Sequence, residues 1–239
     1  MMPLIRAELR KLFTIRSTYI LAIIATLLMG FISYWALGYK GAGGPGLFME
    51  AATTGATIVG TFVAITMVLH VTHEYRYNTI MYTLTSSNSR NKVMLAKILV
   101  ATVYVIIFTL ITMALAVFLT WLGTQVKGGG IAPQDFYYWN AIWTSVFFVW
   151  GYTMVGMLVA FLVRHVVGAI VVLLIVPTTV EGLLYLVLKE NSKYLPFSAL
   201  EQVHTHATMT AVNGAAIFGI YLLVGWAITW FLFLKRDAN

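Results

Sequence analysis

Six runs of about 20 consecutive apolar residues leave this chain little choice but a bundle of membrane-crossing helices. They cover 19–37, 51–71, 97–122, 138–163, 166–188 and 215–234. Each is near or above the length at which an α-helix crosses a hydrocarbon core roughly 30 Å thick. The apolar residues are continuous rather than alternating, which excludes barrel strands of about 10 residues. Composition agrees: of 239 residues, 60% are hydrophobic and 10% charged, whereas soluble domains carry roughly a quarter charged residues. An ordinary soluble enzyme, a disordered chain and a fibrous protein are excluded. The expected fold is all-α and polytopic, one transmembrane domain over 1–239.

The net charge of +7 would suggest nucleic-acid binding in a soluble protein. Here the basic residues sit between apolar runs, so topology accounts for them, and lipid rather than nucleic acid is the expected surrounding. Arg6, Arg10, Lys11, Arg16, Arg76, Arg90, Lys92, Lys97, Arg164, Lys235 and Arg236 fall on one side, against Lys40, Lys127, Lys189 and Lys193 on the other. The positive-inside bias then puts both termini in the cytoplasm of a multi-pass protein of the cell membrane. With no cysteine, disulfides and thiolate metal sites are excluded. The basic-then-apolar start has the outline of a signal peptide. Its apolar run is long, however, and ends in Tyr34 and Trp35 without a small-residue cleavage site; a retained first span is expected.

Two segments on the basic side are amphipathic. Over 3–16, Ile5, Leu9, Leu12 and Phe13 keep helical spacing, with Arg6, Glu8, Arg10 and Lys11 assigned to other faces. This fits an interfacial helix, or alternatively a charged leader that only fixes topology. Over 74–89, Tyr77, Ile80, Met81 and Leu84 make one apolar face at i, i+3, i+4 and i+7. Glu74, Arg76, Asn78, Thr79 and Thr83 supply its polar remainder, and Ser86, Ser87, Asn88 and Ser89 end the pattern before Arg90 and Lys92. Arg164-His165 shows that two residues suffice to join two spans, so the longer segment reads as a docking surface.

An acidic residue among aromatic and basic ones (Glu74 to Tyr77), a helix opening near Thr79, a serine-rich turn, then Arg90 and Lys97 at the third span resemble the type-2 permeases of ATP-binding-cassette transporters. The basic leader, the outer YLPFSAL over Tyr194 to Leu200 and the closing Leu234-Lys235-Arg236-Asp237 are similar too. Two departures stand out: Asn78 where the family commonly has Gly, and Ser87 where it often has Pro. The resemblance implies a homodimeric permease with two copies of a separate ATPase, which carry ATP and Mg. Tyr77 to Leu84 would be the coupling helix, with Ile80, Met81 and Leu84 as buried anchors in the ATPase cleft. Glu74 and Arg76 would orient it, and Tyr77 and Arg90 complete the ATPase-coupling set. The leader would be the connecting helix, and the segment after span five would form short outer helices. No Gly-x-x-x-x-Gly-Lys-Ser/Thr occurs. A transport subunit rather than an enzyme is expected, with ATP hydrolysis on another chain.

Other residues carry paired readings. Ala52, Ala56, Gly60 and Ala64 put a small residue at every fourth position of span two, for packing inside the subunit or for a subunit contact or pathway face. Glu181 is the acidic residue deep in an apolar run, just after Pro177. It either contacts cargo or protons, or sits at the outer boundary of a helix broken at Pro177. His70, His73 and Glu74 lack the order of zinc-protease motifs and read as interfacial residues rather than metal ligands. Outer His204 and His206, with Glu201, are a weak metal alternative. No catalytic constellation is present. Apolar, aromatic and Met-rich spans suit a hydrophobic or amphiphilic cargo such as a drug, antibiotic, peptide or lipid. The competing readings are a proton-coupled carrier, which needs more intramembrane ionisable groups, an immunity or sensor protein, and an intramembrane enzyme.

Overall fold

A computed structural model describes residues 1–39, 47–87, 89–126, 138–205 and 209–235. The described residues are helical almost throughout and include no strand. Six helices are long and apolar enough to cross a membrane: Arg16–Trp35, Leu47–Arg76, Arg90–Val126, Trp139–Val163, Val166–Tyr194 and Ala211–Lys235. Most extend past the apolar runs of the sequence, because helices continue through their polar ends as long as the backbone needs internal partners. His206, Lys40, Lys127 and Arg236 lie outside the described residues.

Helix α1 (Met2–Thr14) opens with Pro3 in its first turn, where a missing N–H costs nothing. It ends at Ile15, whose extended backbone turns the chain into α2 (Arg16–Phe31). Helix α2 continues as a widened π-type segment, Ile32–Tyr39. Helix α3 (Leu47–Arg76) is followed by the short α4 (Ile80–Ser87) and the long α5 (Arg90–Val126). Helix α6 (Tyr138–Val163) reverses at Arg164 into α7 (Val166–Ile175). Arg164 takes a left-handed φ of 55°, and His165 Nδ1 caps α7 by accepting from Gly168 N at 3.2 Å. A π segment (Val176–Val180), α8 (Glu181–Leu188) and a 3₁₀ turn (Lys189–Tyr194) follow. Helices α9 (Pro196–Thr205) and α10 (Ala211–Lys235) complete the order.

Helices α3 and α6 pair along their length at the centre, with α5, α2 and α7 against α3 and α9 and α10 against α6. The small residues of span two make this contact possible. Ala52, Ala56 and Ala64 are almost wholly buried. A methyl on Gly60 would sit 3.4 Å from Phe148, and one on Gly156 of α6 would sit 3.3 Å from the Ala64 carbonyl. Of the two readings of Ala52, Ala56, Gly60 and Ala64, the structure favours intramolecular packing. Gly60 and Ala64 meet Phe148 and Gly156 of α6 directly.

The fifth span does not break at Pro177; it widens. Proline has no N–H to give the Leu173 carbonyl in the i→i−4 pattern. Tyr152 Oη of α6 donates to that carbonyl at 3.0 Å. Such side-chain compensation is what lets proline sit within a span.

Candidate functional site

At the α1 end of the bundle, five charged or titratable side chains meet. Glu8 Oε2 accepts from Lys97 Nζ at 2.7 Å and from His70 Nε2 at 3.0 Å. Glu8 Oε1 accepts from Lys11 Nζ at 2.7 Å. Lys11 also donates to Glu74 Oε1 at 2.6 Å and to Thr83 Oγ1 at 3.2 Å, which uses all three ammonium donors. Lys97 reaches Glu74 Oε1 at 2.9 Å. Glu8 and Lys97 are 0% exposed. With His70 neutral, two carboxylates balance two ammonium groups, so the desolvation cost of burial is matched by short charge-assisted bonds. One cluster thereby ties α1, α3, α4 and α5 together.

Electrostatics keeps the two α1 members, Glu8 and Lys11, ionised. Burial alone would raise the Glu8 carboxyl, but the His70 hydrogen bond and the Lys97 and Lys11 charges hold it well below the usual carboxylate range. Burial would lower the Lys11 ammonium, yet the hydrogen bonds and charges of Glu74 and Glu8 hold it above the usual lysine value.

Helix α3 ends in a Schellman cap that sets the direction of α4. Thr79 N donates to Glu74 O at 2.9 Å and Asn78 N to Tyr75 O at 3.2 Å, the 6→1 and 5→2 pattern. Asn78 occupies the left-handed position, φ 54°. That position normally takes glycine, and asparagine tolerates it best among the rest. The departure noted in the sequence therefore preserves the turn. Glu74 serves twice: its carbonyl closes the cap and its carboxylate enters the cluster.

The structure redistributes the expected coupling residues. Ile80 is 1% exposed and Leu84 is partly buried against the core, so the expected apolar face is split, with Ile80 turned into the bundle. Glu74 is buried in the ion cluster, where its carboxylate binds Lys11 of α1 and Lys97 of α5. Arg90 donates from Nη1 to the carbonyls of Phe233 and Leu234 at 3.2 and 3.1 Å, capping the end of α10. What remains outward is Tyr77, Met81 and Tyr82 at 63, 44 and 76% exposure, with exposed Arg76 lying over the Tyr77 ring at 5.5 Å.

Several residues of the site carry no clear signal in the sequence. Glu8 was assigned to a polar face of the leader, yet Ile5, Glu8 and Leu12 share the i, i+3, i+7 spacing of the buried stripe. Lys97 shares a stripe with buried Val93 and Met94. Tyr82 alternates out of the apolar pattern and carried no signal.

At the opposite end, Glu181 is buried and satisfied. Its carboxylate accepts from Phe197 N, Ser198 N and Ser198 Oγ, each at 2.8 Å, fixing the start of α9. Three donors offset the cost of its burial. Pro177 lies close by, in the π segment. Among the described residues no group of three His, Cys, Asp or Glu could hold a metal.

Six crossing helices, a short salt-bridged helix before them and a capped helical turn between spans two and three define a multi-pass membrane protein built around one polar base. The sequence model of the ABC-2 family transporter proteins matches residues 4–180, from α1 to the π segment. The chain belongs to this family and is a membrane-embedded permease of ABC transport. No curated protein matches the chain.

Proposed function

We propose that the chain is the permease subunit of an ATP-driven exporter of the cytoplasmic membrane, with both termini in the cytoplasm. It works as a homodimer with two copies of a separate ABC ATPase, which supply the ATP and Mg sites. Its cargo is hydrophobic or amphiphilic, in keeping with the apolar, Met-rich spans. Most Lys and Arg residues lie on the α1 side, which supports the orientation.

The observation that carries this reading is the two-sided character of 76–84. Its inner side is fixed by Ile80, Thr83 and Leu84, and Thr83 is bonded to the ion cluster. Its outer side presents Tyr77, Met81 and Tyr82 beside Arg76, the residue types that anchor protein interfaces. An ATPase cleft gripping that outer side would push on a rigid seat, and the cluster would pass the displacement to α1, α3 and α5 together.

The test is co-purification with the ATPase and the turnover of the complex. Met81→Glu and Tyr82→Glu are expected to weaken docking by about 2 kcal/mol or more each, while insertion and folding of the permease stay intact. A stoichiometric ATPase that survives both changes with unaltered turnover would overturn the assignment.

A further inference from the structure

A cavity of about 290 Å³ opens between α3, α6 and α9 near the Glu181 end. It is about 25 Å along α3 from Glu74, counting from Thr57 at 1.5 Å per residue, and takes no part in the ion cluster. We infer that this cavity is a binding site for a compact apolar molecule bearing one protonated amine. As a cargo site it rests on the exporter reading; as a binding site it stands alone.

Charge is the first ground. The chain carries +7 overall, yet the lining of this cavity holds two carboxylates, neither Lys nor Arg, and one imidazole, His204, buried edge-on against Phe148. Glu181 is spent on the start of α9, as described. Glu201 is exposed and forms no ion pair among the described residues. A cation entering here gains a carboxylate, and an anion meets repulsion without compensation.

The aromatic wall is the second. Phe148 stacks on Tyr152 with centroids 6.3 Å apart and planes at 11°, and Tyr152 meets Phe197 edge-on at 5.8 Å. The three rings line one continuous surface of the cavity. Ring faces bury an apolar body and attract an ammonium by their quadrupole.

Hydrogen-bond polarity is the third. Thr61 Oγ1 donates to the Thr57 carbonyl at 3.1 Å and Thr178 Oγ1 to the Leu174 carbonyl at 2.7 Å. Their protons are committed to their own helices, so these cavity-lining hydroxyls offer oxygen lone pairs. An –NH₃⁺ group has three donors and no acceptor, the complement of such a wall. Tyr152 belongs both to the cavity and to the bond at Leu173, so movement of the π segment would reshape the site.

The experiment uses the full chain without ATPase, in nanodiscs of phosphatidylcholine, with isothermal titration calorimetry and empty nanodiscs as the blank. The probes are 1-aminoadamantane, 1-adamantanol and adamantane-1-carboxylate, which share one apolar body. The amine is expected to bind at one site per chain, the alcohol about tenfold more weakly, and the carboxylate not at all above the blank. Glu201→Gln, an exposed change, should weaken the amine about tenfold and leave the alcohol unchanged; Thr61→Val should weaken the amine more than the alcohol. Equal binding of the three probes, or amine binding indifferent to both substitutions, would overturn the site. Amine binding in a chain that recruits no ATPase would keep the site and sink the exporter reading. ATPase recruitment without amine binding would do the reverse.

Discussion

Asn78 shows how much a single backbone angle settles. Its φ of 54° closes the cap of α3 and starts α4 two residues later. Glycine fits that angle freely, whereas a β-branched residue pays roughly 1–2 kcal/mol to adopt it. Asn78→Gly is therefore expected to leave the unfolding midpoint almost unchanged, and Asn78→Val to lower stability by about 1–2 kcal/mol. Thermal denaturation of the two purified variants decides it, and equal midpoints would remove the constraint. The sequence exposed the Asn-for-Gly exchange but not the angle behind it. The partners of Glu8 and Arg90 are hidden for a related reason. A charge in an amphipathic pattern defaults to the polar face, and only the arrival of Lys97 or of the α10 terminus shows otherwise. Those partners lie 89 and 143 residues away, and no local period reports them.

Elements were far more legible than contacts. A span must satisfy its backbone internally and shed charge over about 20 residues, so six apolar runs announce six helices with little ambiguity. What a proline does within one depends on its neighbours. In α7 and the π segment the outcome is a widened but unbroken helix, supported by Tyr152 from α6. Tyr152→Phe is expected to cost about 0.5–1.5 kcal/mol, measured by thermal denaturation. In a Pro177→Ala background, where a backbone donor returns, the same change should cost less. Strict additivity in this cycle would mean that the hydroxyl does not compensate the proline.

At the scale of the whole molecule, the ion cluster is a polar junction that joins four elements. Removing one member leaves buried charge unmatched: Lys97→Met strips Glu8 and Glu74 of their shared ammonium and should cost about 3–5 kcal/mol. The pH profile follows from the directions of the shifts. The lowered Glu8 carboxyl contributes stability that is complete above the ordinary glutamate value of about 4.3 and is lost as pH falls below it. The raised Lys11 ammonium contributes below about 10.4 and is lost as pH rises past it. Unfolding midpoints measured from pH 5 to 3 should fall for the native chain, and Glu8→Gln should reduce that fall. Identical acid limbs would show that Glu8 is not the titrating member. The cluster also fixes an order of events in synthesis. A ribosome delivers Glu8 well before Lys97, 89 residues downstream, so the leading helix cannot be seated when it emerges. It is latched only once the second and third spans stand side by side, so its docking follows the insertion of both.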